Sequence, residues 1–193
     1  ILILSATLSF VGMPYTVLIP VVARDVLYGG ADTYGFLITA SGIGAVIGAL
    51  FLAVRKNVEG LSNLLPIAMG IFGLGLAALS QSRVFLISLS LMLLTGFGMM
   101  VQMASNNTIL QTIVDDDKRG RIMSLYTMSF LGIAPFGSLL AGALASRIGA
   151  PGTLMWGGII CLLAAMMFSR KVSIIKGEIM LHTGKTTYKT GTL

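Results

Sequence analysis

Charge is scarce in this sequence: Asp, Glu, Lys and Arg make up 10% of its 193 residues, where a soluble domain carries roughly 25%. There is a single cysteine, Cys161, so no disulfide can form within the chain. It reads as a small buried apolar residue. The one histidine, His182, lies in a polar C-terminal stretch and belongs to no cluster of metal ligands. No His-Glu-x-x-His, Walker loop or Gly-x-Ser-x-Gly string occurs, so the common hydrolase and nucleotide-binding signatures are missing. No Asp, Glu, Lys or His falls in the middle of a long apolar run. Paired carboxylates for acid–base work and an intramembrane proton carrier of the usual kind are therefore absent too. These absences argue against an enzyme, a resident cofactor or a bound metal. The 12 Met residues, scattered through apolar runs, suit adaptable packing better than soft-metal ligation.

What the sequence has is hydrocarbon. Hydrophobic residues make up 55% of it and its mean hydropathy is +0.93. Apolar runs near the roughly 20 residues needed to cross a bilayer recur at about 1–22, 34–54, 64–80, 84–104, 122–145 and 154–168. They are too long and too uniformly apolar for barrel strands, and in lipid every backbone amide must be satisfied internally, so they are expected to be helices. The fold class is an all-α polytopic membrane protein. Residues 1–171 would form a six-helix bundle and 172–193 a polar tail.

The bases show which way the chain sits. If the loop bearing Arg55 and Lys56 is cytoplasmic, alternation puts ten of the 13 Lys and Arg on that side, leaving Arg24, Arg83 and Arg147 opposite. This is the positive-inside pattern, with the tail in the cytoplasm. It accounts for the net charge of +6 without a nucleic-acid partner, because the bases are spread over loops and not gathered on one face. The expected partners are the lipid bilayer and a small-molecule substrate.

One block gathers charge densely: Asp115, Asp116, Asp117, Lys118, Arg119, Gly120 and Arg121. Between the fourth and fifth runs it reads as a cytoplasmic loop, where charge is solvated, and its acids suit the start of the following helix. Just before it, Gln102, Asn106, Asn107 and Gln111 form a polar stretch whose four-residue spacings fall on neighbouring faces of one helix. The two together are expected to form a cytoplasmic gate.

Small residues recur at a spacing of four, as Ala40, Gly44 and Gly48 in the second run and Gly137, Ala141 and Ala145 in the fifth. Such stripes let helix backbones approach closely where the hydrophobic effect gives no drive. The first run is interrupted by Gly12, Pro14 and Pro20, and the fourth by Gly96 and Gly98. Paired interruptions in corresponding segments point to a substrate cavity and to inverted three-plus-three repeats. Tyr15, Thr16, Thr95 and Gln102 are the polar groups expected to face it.

The string Arg119-Gly-Arg-Ile-Met-Ser-Leu-Tyr126, running into Gly132-Ile-Ala-Pro135-Phe-Gly137, resembles the major facilitator superfamily, in the branch that contains the enterobactin exporter and related drug:proton antiporters. Asn107–Gln111 and Pro14–Pro20 are similar to it as well. The resemblance covers about residues 1–170. It implies helices seven to twelve of a twelve-helix secondary transporter, a multi-pass protein of the bacterial inner membrane, with proton-coupled export of an amphipathic drug or siderophore by alternating access. The charged block would join the tenth and eleventh helices. The chain starts inside an apolar run with no initiator Met, so a missing N-terminal six-helix half is expected as its partner. The family's Gly-x-x-x-Asp-Arg signature would fall near Gly48–Lys56, where Val54 stands in place of the acid. Alternative readings are the permease subunit of an ATP-dependent transporter and an uptake carrier for a small metabolite.

Overall fold

The computed structural model describes residues 2–12, 14–55, 60–114 and 116–170. Lys56, Asp115, His182 and the tail bases lie outside the described residues. Among those described the chain is helical, and its seven α-helices are α1 (Leu2–Thr7), α2 (Tyr15–Val21), α3 (Ala31–Ala53), α4 (Leu61–Gln81), α5 (Phe85–Ile113), α6 (Asp116–Leu131) and α7 (Ala134–Ser169). Wider π-helical turns continue α1 over Leu8–Gly12 and α2 over Val22–Val26.

The irregular first helix follows from its prolines. Pro20 has no N–H to offer and sits inside α2. Beyond it the ladder widens to bonds across five residues, with the Leu27 N–H donating to the Val22 carbonyl at 3.0 Å. Tyr28, at φ 52, then turns the chain into α3, which carries Asp32 in its first turn.

Five helical stretches are long and apolar enough to cross a membrane: Leu4–Val26, Ala31–Ala53, Leu61–Gln81, Phe85–Ile113 and Asp117–Ser169. The last spans 53 residues, roughly 80 Å at 1.5 Å per residue and far beyond a hydrocarbon core of about 30 Å. Its backbone leaves the helical conformation at Gly149, at φ 78 and ψ 162. Only glycine adopts that region easily. The Thr153 hydroxyl donates back to the Gly149 carbonyl at 3.0 Å and steadies the turn that follows.

Asp117 to Arg121 differ from the expected loop. They form the first turns of α6, which starts six residues before Ile122. Acids at a helix start meet the positive end of its dipole, so a segment that reads as a solvated loop is also a favourable N-terminus.

The helices pack as a bundle in which α4 is the central element, placed between α5 and α7, while α3 lies along the other side of α5. Leu65, Met69, Phe72, Leu76 and Leu79 line the buried side of α4 and meet Leu8, Ile19, Leu37, Met92 and Ile109. Outward-facing Val46, Leu50, Leu74, Leu86, Leu139 and Met167 are more than half exposed. In water this surface would aggregate; against lipid tails it costs nothing.

Close approach is bought with glycine. A methyl group on Gly44 would run into the Leu93 carbonyl of α5, and one on Gly96 into the Ser41 carbonyl of α3. Gly73 and Gly158 do the same for α4 and α7: each would place a Cβ against the other's carbonyl oxygen, at 2.8 and 2.6 Å.

Candidate functional site

The polar groups of the bundle converge along α5. Ser88, Thr95 and Gln102 stand seven residues apart on this helix, two turns each, and all three are fully buried. Thr95 lies against Gly75 of α4, and its hydroxyl donates to the Leu91 carbonyl at 2.7 Å. Ser88 shares a 2.8 Å hydrogen bond with Ser82, just beyond α4. The upper part of the stripe therefore satisfies its hydroxyls within α5 and in the α4–α5 link, while Thr95 packs against α4.

Tyr15 links four helices. Its hydroxyl shares a 3.2 Å hydrogen bond with Ser41 of α3 and donates to the Met99 sulfur of α5 at 4.0 Å. Its ring meets Phe72 of α4 edge on at 5.9 Å. Thr16, its neighbour, points to the exposed side. Of the four residues expected to face a cavity, Tyr15, Thr95 and Gln102 are buried between helices, and the cavities of ≈ 460, ≈ 280 and ≈ 90 Å³ are lined by other residues.

Lower on α5 the polar stretch divides. Asn106 turns inward, and its amide donates to the Ser5 hydroxyl of α1 at 3.0 Å. On the outer side the Gln111 amide donates to Asn107 at 3.0 Å, an exposed pair four residues apart. Beside Asn106, both amide atoms of Gln102, the Ser105 hydroxyl and the Asn106 carbonyl oxygen are buried with no hydrogen-bond partner among the described residues. A buried polar atom without a partner costs about 1–3 kcal/mol. The link between α1 and α5 thus rests on the Asn106–Ser5 hydrogen bond, and the Asn106 carbonyl oxygen beside it is unpaired.

The charged block connects to this contact through α6. Asp117, Lys118, Arg119, Gly120 and Arg121 are exposed, and Asp116 opens the helix. One to three turns further, Tyr126 donates to the Met103 carbonyl of α5 at 3.4 Å and stacks on Phe130. The Ser9 hydroxyl of the first helix donates to the Phe130 carbonyl. Residues that grip α1, α5 and α6 together are therefore Ser5, Ser9 and Tyr126; the sequence pointed to Tyr126 only as the end of the Arg119–Tyr126 string and to neither serine. The available signal was Ser5 and Ser9 four residues apart in an apolar run, a spacing that puts both hydroxyls on one face.

Of the small-residue stripes, Gly44 and Gly48 of α3 face α5, with a Cβ on Gly48 reaching the Phe97 carbonyl at 3.0 Å. Gly137 abuts the Phe10 carbonyl of the first helix. Ala40 and Ala141 are buried and Ala145 is half-buried.

A bundle of membrane-spanning helices joined backbone to backbone by glycine, with its polar groups in the helix contacts and its charges at helix ends, is the construction of a multi-pass membrane protein. Residues 1–187 match the family described as transmembrane secretion effector, and the chain belongs to that family of the major facilitator superfamily, whose members are transporters and not enzymes. It is 27% identical to the staphyloferrin A transporter of Staphylococcus aureus (strain NCTC 8325 / PS 47) over 168 residues, 87% of this chain and 42% of that relative. The chain thus spans about two-fifths of the length of that relative. No solved structure matches it.

Proposed function

We propose that the chain is the C-terminal, six-crossing half of a twelve-helix carrier that exports an amphipathic small molecule, a siderophore or a drug, by proton-coupled alternating access. The family match over residues 1–187 carries this reading. The staphyloferrin A transporter supports a siderophore as cargo. Division of the 53-residue stretch at Gly149 supports a sixth crossing, because a polypeptide that reverses there returns through the bilayer. The paired halves would rock about a midplane site in the bacterial inner membrane, with the charged block and the tail on the cytoplasmic side.

Within that cycle, the contact among α1, α5 and α6 is the element suited to open. Its unpartnered Asn106 carbonyl oxygen, with the unpaired Gln102 and Ser105 atoms on the same helix, raises the energy of the closed state, and hydration on opening would lower it. Gly48–Lys56 lacks the family's acid, and no run in this half places a carboxylate at its centre, so the coupling carboxylate would belong to the N-terminal half.

The test is accumulation of a fluorescent amphipathic dye in cells expressing the complete parent gene, with and without a protonophore. Reduced accumulation that the protonophore restores while ATP stays intact is the expected result. Efflux that follows ATP alone would instead favour a permease subunit, and a siderophore entering against its gradient would favour an uptake carrier.

A further inference from the structure

Three segments of the chain end at one face of the bundle: the first helix beyond Val26, α4 beyond Gln81, and the turn that follows Gly149. Together they line a cavity of ≈ 460 Å³ to which Asp25, Tyr28, Arg83, Pro151, Gly152 and Trp156 contribute. The volume falls in the range of roughly 300–1,000 Å³ usual for ligand sites. We propose that this cavity seats the headgroup of a phospholipid carrying a primary ammonium, a phosphoethanolamine, with its acyl chain along the neighbouring groove. The proposal depends only on the chain's membrane location, not on cargo or coupling.

The charges select the headgroup. Arg83 has no ion-pair partner among the described residues, and Pro151 and Gly152 lie in the first turn after Gly149, at the positive end of that helical segment. Both favour a phosphate, which a guanidinium binds through parallel N–H donors. Asp25 lines the same cavity with the opposite sign; it holds Arg24 at 3.0 Å yet keeps 54% of its side-chain surface exposed. An ammonium beside Asp25 and a phosphate beside Arg83 satisfy both. A glycerol headgroup would leave Asp25 facing net negative charge, and a choline offers it no N–H donor.

The surroundings select a lipid over a free anion. Tyr28 is 91% exposed and Trp156 59%, as amphipathic rings are at a membrane interface. Trp156 also lines a second cavity, of ≈ 90 Å³, deeper along the first helix and α7, where its companions include Val11, Pro14, Leu140, Leu144 and Ile160. A chamber of mixed lining that holds Asp25 and Arg83 thus shares one indole with an apolar groove. That sequence of environments is the one a phospholipid presents from headgroup to tail.

The experiment is native mass spectrometry of the complete parent protein, delipidated in detergent and offered phosphatidylethanolamine, phosphatidylcholine or phosphatidylglycerol of identical acyl chains, with inorganic phosphate as a competitor. The expected result is one phosphatidylethanolamine retained at least tenfold more tightly than the other two lipids and not displaced by phosphate. Arg83→Ala should lower that retention at least tenfold. Asp25→Asn should abolish the preference over phosphatidylglycerol while leaving phospholipid bound. Arg170→Ala, a helix-end arginine that does not line the cavity, should change nothing. Equal retention of the three lipids, displacement by phosphate alone, or a preference that survives both Arg83→Ala and Asp25→Asn would each overturn the proposal. Arg83 and Asp25 are surface residues, so the variants are expected to stay monodisperse, and Arg83→Lys, which keeps the charge, should retain part of the binding.

Discussion

At the scale of single residues the protein is governed by the hydrogen that glycine has in place of a methyl group. Gly42 and Gly44 stand two positions apart on α3, yet a Cβ on Gly42 would meet open space and one on Gly44 would enter the α5 backbone at Leu93. Gly42→Ala is expected to be neutral or to stabilise by up to about 1 kcal/mol, through the less flexible unfolded chain. Gly44→Ala should destabilise by about 1–3 kcal/mol, as overpacking does. Thermal unfolding of the two variants in detergent compares them directly, and equal melting temperatures would show that the α3–α5 approach is looser than described. Tyr15 shows the same dependence on position: a residue expected from sequence to line a pathway carries contacts to α3, α4 and α5. Its neighbour Thr16, about 100° further round the helix, is exposed. Sequence could name both residues but could not choose between them, because the choice depends on which side of the helix meets the rest of the bundle.

At the scale of elements the decisive features are interruptions. Pro20 widens the end of the first helix, and Gly149 breaks α7 in a conformation closed to other residues. Gly149→Ala is expected to cost about 1–3 kcal/mol. It should show as a lower melting temperature and as faster cleavage by protease near the turn; wild-type behaviour in both would mean that the turn relaxes without loss. The proline in the first helix was legible from sequence as an interruption, since it removes an N–H wherever it falls. The start of α6 was not. Three acids and three bases read as solvated loop, whereas Asp117 to Arg121 form helix, because side chains on a helix emerging from the membrane reach water as well as those of a loop do. The span near 84–104 also proved longer, since α5 continues to Ile113 and carries Asn106 and Asn107 on a rigid helix.

At the scale of the whole molecule the charged block and the buried polar contact belong to one path. Arg119 lies near the start of α6, Tyr126 two turns on reaches Met103 of α5, and Phe130 accepts a bond from Ser9 of the first helix. A movement of the α6 end would thereby reach the first helix, where Asn106 is incompletely bonded beside Ser5. Under alternating access, Arg119→Ala should slow transport severalfold while leaving membrane insertion intact, as expected when a solvated charge that biases a two-state element is removed. Flux measured at equal expression checks this, and a wild-type rate would dissociate the block from the transport cycle.

Composition and the length of the apolar runs were enough to establish an all-helical membrane protein, because in hydrocarbon a backbone can satisfy its own hydrogen bonds in few ways and a run of about 20 apolar residues allows only the helix. The residue types that would matter were visible for a related reason: glycine, proline and polar side chains are costly in such helices and stand out against them. Tertiary structure alone decided how they are used. Gln102 and Asn106 turn inward while Asn107 and Gln111 pair outside, and Gly44 meets a backbone where Gly42 meets nothing. Helical periodicity assigns residues to faces, but only the neighbouring helices determine which face is inside.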